Sequence, residues 1–180
     1  MYKTVQINST SANDDELRKL YEASFPKEER IPYEELVKAL DLMDIDYTAY
    51  YDGDKFIALS IISRLPRFSI GNYFAVKEEL RGKGLGQKLL RMILDKYKTG
   101  NPFIIDVESP TQEGAPNLAI RKRRHDFYVR NGLRDTGMYY DYNGVSLSVM
   151  SNSQDPFTQK DLDEIAAILR PTMDKLQKNN

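Results

Sequence analysis

Cysteine is absent from this 180-residue chain, and histidine occurs once, as His125. The first absence excludes disulfides, thiolate metal sites and a cysteine nucleophile. The second speaks against a His-rich zinc site and a Ser-His-Asp triad. No metal is expected. No stretch approaches the ~18 apolar residues of a membrane span, and the opening MYKTVQINSTSANDD has no apolar signal-peptide run. A soluble, cytoplasmic protein with no membrane partner is expected. Excess charge is missing too: 26 basic against 27 acidic residues leave a net charge of −1. That balance exerts no global pull on nucleic acid or anionic lipid, so any anion site must be local. There is no internal repeat, low-complexity tract or interdomain linker. With 41% hydrophobic residues, the chain suits one domain, 1–180, in which 156–180 forms a C-terminal helical extension.

Alternation of apolar residues predicts a strand at Lys3–Ile7, and Ser, Asn and Asp open a helix over Ser11–Ala23. A polar loop, FPKEERIP, lies between Pro26 and Pro32, and a second helix spans Tyr33–Leu42. Asp46–Tyr51 and Phe56–Ser63, joined through Asp52-Gly53-Asp54, read as a β-hairpin. Ser69–Val76 is a strand. Gly84–Tyr97 is a helix with Leu85, Leu89, Leu90, Ile93 and Tyr97 on one face. Phe103–Val107 suits a central strand covered on both sides. A helix over Leu118–Asn131 is closed by Gly132. The segments Thr136–Tyr140 and Gly144–Met150 form a second hairpin, and Thr158–Leu176 a last helix in which Pro171 is a kink or break. The order β α α β β β α β α β β α predicts a mixed α/β fold: one sheet with helices on both faces.

Between the strand ending at Val76 and the next helix stands RGKGLG, Arg81 to Gly86. A glycine loop opening a helix builds an anion cradle: unpaired N–H groups and the positive end of the helix dipole face the ligand, with no Cβ in the way. Arg81 and Lys83 add charge. The plainer reading is a tight turn with solvent-facing basic residues. A P-loop is excluded because Gln87 and Lys88 do not supply its Lys-Ser/Thr ending. A dinucleotide fingerprint is excluded by its spacing and by the antiparallel segments before it.

The stretch resembles motif A of the GNAT superfamily of acyl-coenzyme A N-acyltransferases, Q/R-x-x-G-x-G/A, read here by Arg81, Gly84 and Gly86. Downstream, DFYVRNGL (Asp126–Leu133) resembles the family's helix ending F-Y-x-x-x-G-F. The resemblance covers most of residues 1–150. It implies a mostly antiparallel sheet of six to seven strands and an N-acetyltransferase. Acetyl-coenzyme A would be the co-substrate and a small-molecule or protein amine the acceptor; a non-catalytic acyl-coenzyme A-binding module is the alternative. It further implies that the diphosphate lies on Arg81, Gly82, Lys83, Gly84, Leu85 and Gly86. The pantetheine arm would pair with the backbone of Phe74, Ala75 and Val76, where that strand splays from Phe103–Val107.

Tyr128 stands where the family places its general acid; a core aromatic is the plainer reading. The glutamate that some members carry eleven residues before the Q/R is Ile70 here, so the base must be sought elsewhere. Glu108 is the first substitute. Glu28 and Glu29, in the loop that often covers the acceptor site, are the next, as base or amine binder. Direct attack with water-relayed proton loss needs none of them. The family's N-x-x-A-x-x-x-Y helix pattern is also broken, by Arg121 and Arg124. Helical spacing puts Arg121, Arg124 and His125 on the face of Tyr128. Solvated charges, contacts to coenzyme A phosphates, pairing with Glu108 or Asp106, and Arg124 as a substrate-carboxylate binder all remain open. RKRRH is one short run in a near-neutral chain and implies no nucleic-acid partner. A homodimer stays open.

Overall fold

In the computed structural model, residues 2–27, 30–115, 117–142 and 144–177 are described. Their strands form one seven-stranded sheet in the order β1-β2-β3-β4-β5-β7-β6. The strands are β1 (Lys3–Ile7), β2 (Ile45–Asp52), β3 (Lys55–Arg64), β4 (Ser69–Val76), β5 (Phe103–Glu108), β6 (Arg134–Tyr142) and β7 (Val145–Ser151). Every neighbouring pair is antiparallel except β4 and β5. A parallel pair needs a crossover, and α3 (Leu85–Lys96) supplies it.

Helices α1 (Asp15–Ser24), α2 (Tyr33–Leu42) and α5 (Gln159–Gln177) cover one face of the sheet. Leu17, Leu20, Tyr21 and Leu36 pack there on Tyr47, Leu59, Ile61 and Ala75. Farther along that face, Ile104 and Val149 meet Phe157 and Ile165, and α5 also contacts α2. The C-terminal helix is therefore built into the core, and Pro171 lies within it without ending it. The opposite face carries α3 and α4 (Leu118–Arg130). Leu89 and Ile93 pack on Phe103, Ile105, Val107 and Met150. Asp46 on β2 fastens the end of α3: it accepts from Lys96 Nζ at 2.8 Å and from the Tyr97 hydroxyl.

The expected elements are present with shifts of a few residues. The first helix is split: residues 11–13 form a single 3₁₀ turn, and α1 starts after Asp14, whose carboxylate caps it by accepting from Glu16 N at 2.7 Å. The sheet has a defect at Gly71-Asn72. Ile61 pairs with Tyr73 and Ile62 with Gly71, so Asn72 is an extra residue. Its side chain donates to Ser63 Oγ at 2.7 Å. Gly71 sits under β5: a Cβ there would lie 2.7 Å from Phe103 Cζ and 2.8 Å from Ile105 Cγ2. Both side chains belong to the buried cluster and have no free direction to move in. Gly71→Ala is therefore expected to cost about 1–3 kcal/mol through overpacking, read as a lowered midpoint in urea or thermal unfolding.

Candidate active site

The parallel pairing of β4 with β5 covers only Ser69 with Phe103 and Ile70 with Ile104. Past the bulge the two strands no longer bond, and a gap opens between them. The direction of the β4 peptide groups follows from one bond: Lys77 N–H donates to Ile57 O on β3 at 3.0 Å. Alternation turns Ala75 and Tyr73 toward β3 as well, and Phe74 and Val76 toward the gap. Of the three residues expected to pair with a ligand arm, Phe74 turns both its backbone groups and Val76 its N–H to the gap, the Val76 carbonyl being taken by Arg81 Nε, whereas Ala75 spends its own on the sheet.

Just past this edge the chain passes through residues 81–84 into α3. Gly82 and Gly84 both have φ of 77°, a left-handed conformation that glycine adopts without strain. A Cβ on either would meet nothing within 4 Å, so the cradle is open on its outer side. Gly84 caps α3 with no side chain, and the first helical bond runs from Lys88 N to Gly84 O at 3.2 Å. The N–H groups of Leu85, Gly86 and Gln87 therefore begin the helix without helical acceptors. Lys83 is exposed beside them. Arg81, exposed as well, reaches back to β4 and α1: its Nε donates to Val76 O at 2.9 Å and its Nη2 to Ser24 Oγ at 3.4 Å. It stitches the loop to β4 and α1. Unpaired N–H groups, open Cβ directions and the exposed cations of Arg81 and Lys83 suit a diphosphate. Gly86 has another role. Its built Cβ would lie 3.9 Å from Phe127 Cζ and from Val76 Cγ2, so here the loop meets α4 and β4.

Tyr128 follows Phe127, their rings 5.3 Å apart and near perpendicular. It is half-buried against the cluster that includes Val76 from one lip of the gap and Ile105 and Val107 from the other. Its hydroxyl makes no hydrogen bond among the described residues. Burial raises its pKa above that of an ordinary phenol; Arg124 opposes the shift and Asp106 reinforces it. At neutral pH the phenol is protonated and its proton is free to give.

Glu108 ends β5 with both carboxylate oxygens engaged. Oε1 faces Arg121 Nη2 at 2.9 Å and accepts from Asn117 Nδ2 at 3.1 Å; Oε2 faces Arg124 Nη1 at 2.9 Å. Arg121 is 5% exposed and is held further by Asn117 Oδ1 and Gln112 Oε1, each at 2.6 Å. The basic ridge of α4 is thus an ion-pair cluster, and Arg124 meets Glu108 with one nitrogen while much of its side chain stays exposed. An ammonium arriving at Glu108 would have to displace a guanidinium. That is a poor position for a base and a good one for a strut. His125 turns to Asp135 Oδ2 at 3.3 Å on β6. Hydrogen bonds from Gly137 N, Tyr139 and Ser148 help keep that carboxylate's pKa low, against its partial burial.

Glu28 and Glu29 lie outside the described residues. The chain on either side of them is pinned at β4. Ile31 N–H donates to the Tyr73 hydroxyl at 3.3 Å, and Phe25 stacks edgewise on Tyr73 at 4.8 Å.

One residue at the gap entered the sequence reading only as a possible partner for the α4 arginines. Asp106 is exposed in the middle of β5, although Phe103, Ile104, Ile105 and Val107 around it are all buried. The one signal was a lone acid in an apolar run, FIIDV. Among the described residues it makes no ion pair; the Tyr140 hydroxyl donates to its Oδ2.

A half-open sheet with a glycine cradle at the mouth of the gap is the architecture of an N-acyltransferase. Among solved structures, a GNAT-family protein from Bacteroides thetaiotaomicron superimposes with a TM-score of 0.73 at 23% identity, over 93% of this chain and 95% of its own. A Bacillus subtilis acetyltransferase in complex with coenzyme A gives 0.56 at 16% identity, over 83% and 95%. The aminoglycoside 6′-N-acetyltransferase of Enterococcus faecium gives 0.63 at 13% identity, over 88% and 99%. These likenesses concern the fold. No curated protein sequence matches the chain. The acetyltransferase (GNAT) family matches residues 14–130, more than half of the chain, and the protein belongs to that family.

If the Glu108 cluster is a strut, removing one member uncovers a buried charge. Arg121→Met is expected to destabilise the fold by about 3 kcal/mol, the low end for a broken buried pair because Arg124 remains. Chemical denaturation of the variant beside Arg124→Met, which removes the exposed partner and should cost far less, checks this.

Proposed function

We propose that the protein transfers an acetyl group from acetyl-coenzyme A to a primary amine, with Tyr128 as the general acid. The observation that carries this reading is the coincidence of two vacant backbone surfaces. The β4 edge at Phe74 and the Val76 N–H lacks its strand partner, and the start of α3 has no side-chain cap. A ligand with a diphosphate at one end and an amide-bearing arm at the other answers both. The N–H groups of Leu85, Gly86 and Gln87, with Lys83, hold the diphosphate. Phe74 and Val76 pair with the arm as a missing strand would. The bound co-substrate supplies a thioester carbonyl open to attack and a thiolate leaving group.

Within that frame the chain's own groups divide the work. The gap sets the carbonyl between the two faces of the sheet. Tyr128 stands on the α4 face, protonated because burial disfavours the phenolate, and gives its proton to the departing sulfur. Glu108 serves as a strut that ties α4 to β5, rather than as the base. The relatives whose names include an aminoglycoside or a ribosomal-protein alanine act on chemically distant amines. What they share is an amine nucleophile, and the acceptor class proposed here goes no further.

Acetyl-coenzyme A is expected to raise the melting temperature in a thermal shift assay, and Gly84→Glu to abolish that rise by placing an anion in the cradle. No rise for the wild-type protein at millimolar ligand would overturn the assignment.

Tyr128→Phe is expected to lower kcat by roughly 10²-fold while leaving the melting-temperature rise intact. Coenzyme A release over a panel of amines and peptides measures it; because the chain has no cysteine, a thiol reagent reads only the product. A melting-temperature rise with no turnover across the panel would favour a non-catalytic acyl-coenzyme A-binding module.

A further inference from the structure

The reading above leaves the acceptor's proton without a destination, and the exposed acid at the gap has no structural task. Within β5, Phe103, Ile105 and Val107 point into the cluster shared with α3 and Tyr128, while Ile104 points into the cluster under α5. Asp106, two residues from Ile104, shares the α1, α2 and α5 face. It stands two positions past the last residue that pairs with β4, at the lip of the gap. Its side chain is exposed where the residues around it are buried. Tyr140, whose ring is packed on the α5-side cluster, donates its hydroxyl to Asp106 Oδ2. Burial and the neighbouring carboxylate both raise the pKa of that phenol, so it remains a donor and holds the carboxylate in place. Oδ1 has no partner among the described residues.

The geometry points to Asp106 as the seat and proton acceptor of the incoming amine, positioned by Tyr140, on the face of the sheet opposite the acid Tyr128. The inference rests on the acetyl-transfer reading and adds the direction of approach: the acceptor enters from the α1, α2 and α5 face, and sulfur leaves toward α4.

The proton account closes. Asp106 takes one proton from the ammonium R–NH₃⁺. The freed nitrogen pair forms the C–N bond as the C–S bond breaks, with that bond's electrons remaining on sulfur. Tyr128 gives sulfur its proton, and the nitrogen sheds its second proton to water. Asp106 then releases its proton to solvent, and Tyr128 regains one. The sum is ammonium plus thioester giving amide, thiol and one proton. The carboxylate also suits the substrate before any chemistry, because it attracts the cationic form in which an alkylamine arrives. Glu108 cannot replace it, since its oxygens already hold two guanidinium groups.

The test compares two nucleophiles in the intact chain with acetyl-coenzyme A. Butylamine arrives at neutral pH as an ammonium and must lose a proton first; hydroxylamine arrives neutral. Asp106→Asn is expected to lower the butylamine-to-hydroxylamine ratio of kcat/KM about 100-fold, and Tyr140→Phe, a positioning variant, to lower it about 10-fold. Asp106→Glu should restore part of the ratio. The acetyl-coenzyme A melting-temperature rise should match wild type in all three. Equal loss with both nucleophiles would show a structural role and overturn the inference. So would an unchanged ratio, or a wild-type protein that binds acetyl-coenzyme A yet acetylates neither amine. Absence of the melting-temperature rise in wild type would instead overturn the cofactor assignment beneath it.

Discussion

The candidate site depends on the point where β4 and β5 stop bonding. The two strands share only Ser69–Phe103 and Ile70–Ile104. Asn72 is then inserted into β4, and the ladder to β3 continues on the other side with its register shifted by one. A bulge bends its strand and increases local twist, so one extra residue suffices to part a parallel pair. The cost is modest because β4 keeps its β3 partner, and because Phe103 and Ile105 fold down over Gly71 and fill the wedge beneath the gap. What remains is a strand edge at which the Phe74 peptide groups and the Val76 N–H are left for something that is not part of the sheet. A backbone edge recognises an extended amide chain almost regardless of side chains, which suits a co-substrate arm better than a protein-specific partner.

The two faces of that gap are built on different physics. On the α4 side, a buried ion-pair cluster holds the helix. Arg121 faces inward with Glu108, Asn117 and Gln112, while Leu118, Ile120 and Val129 are exposed. Such a cluster gains little net stability over apolar packing, but it has one satisfactory geometry, and Tyr128 lies two turns along from Arg121. On the other face, aromatic rings do the equivalent work. Tyr21, Phe25 and Tyr73 stack edgewise, and Tyr140 holds Asp106. The sheet thus separates a protonated phenol from an exposed carboxylate. A reaction that needs one group to give a proton and another to take one is served by two groups whose environments differ in this way.

Much of this was legible beforehand wherever a local rule governs. Hydrophobic period, caps and turn glycines located β2 to β4, α2 and α3 nearly to the residue. RGKGLG reads as either an anion cradle or a tight turn, and in the fold Gly82 and Gly84 both take the left-handed conformation ahead of α3. The family resemblance at Arg81–Gly86 and Asp126–Leu133 is matched by a family assignment over residues 14–130. The reading was least secure at α4, for a physical reason: a helix that buries arginine and exposes leucine carries no usable hydrophobic period. It missed the single 3₁₀ turn at residues 11–13, because Ser11, Asn13 and Asp14 are all cap formers and the fold uses Asp14 to start the helix. It did not foresee the bonds from Arg81 to Val76 O and Ser24.

What the sequence alone determined, then, is the set of elements, including the glycine-led start of α3, because each is encoded within a dozen neighbouring residues. What only the tertiary structure decided is the assignment of the carboxylates. Asp106 and Glu108 sit two positions apart on one strand and look equivalent in the chain. Their difference comes from what lies across from them: two guanidiniums from α4 close on Glu108, whereas Asp106 meets one phenol from β6 and open solvent. Those partners are some 13 to 34 residues away, and no local pattern reports which side chains a sheet and a crossing helix will bring together.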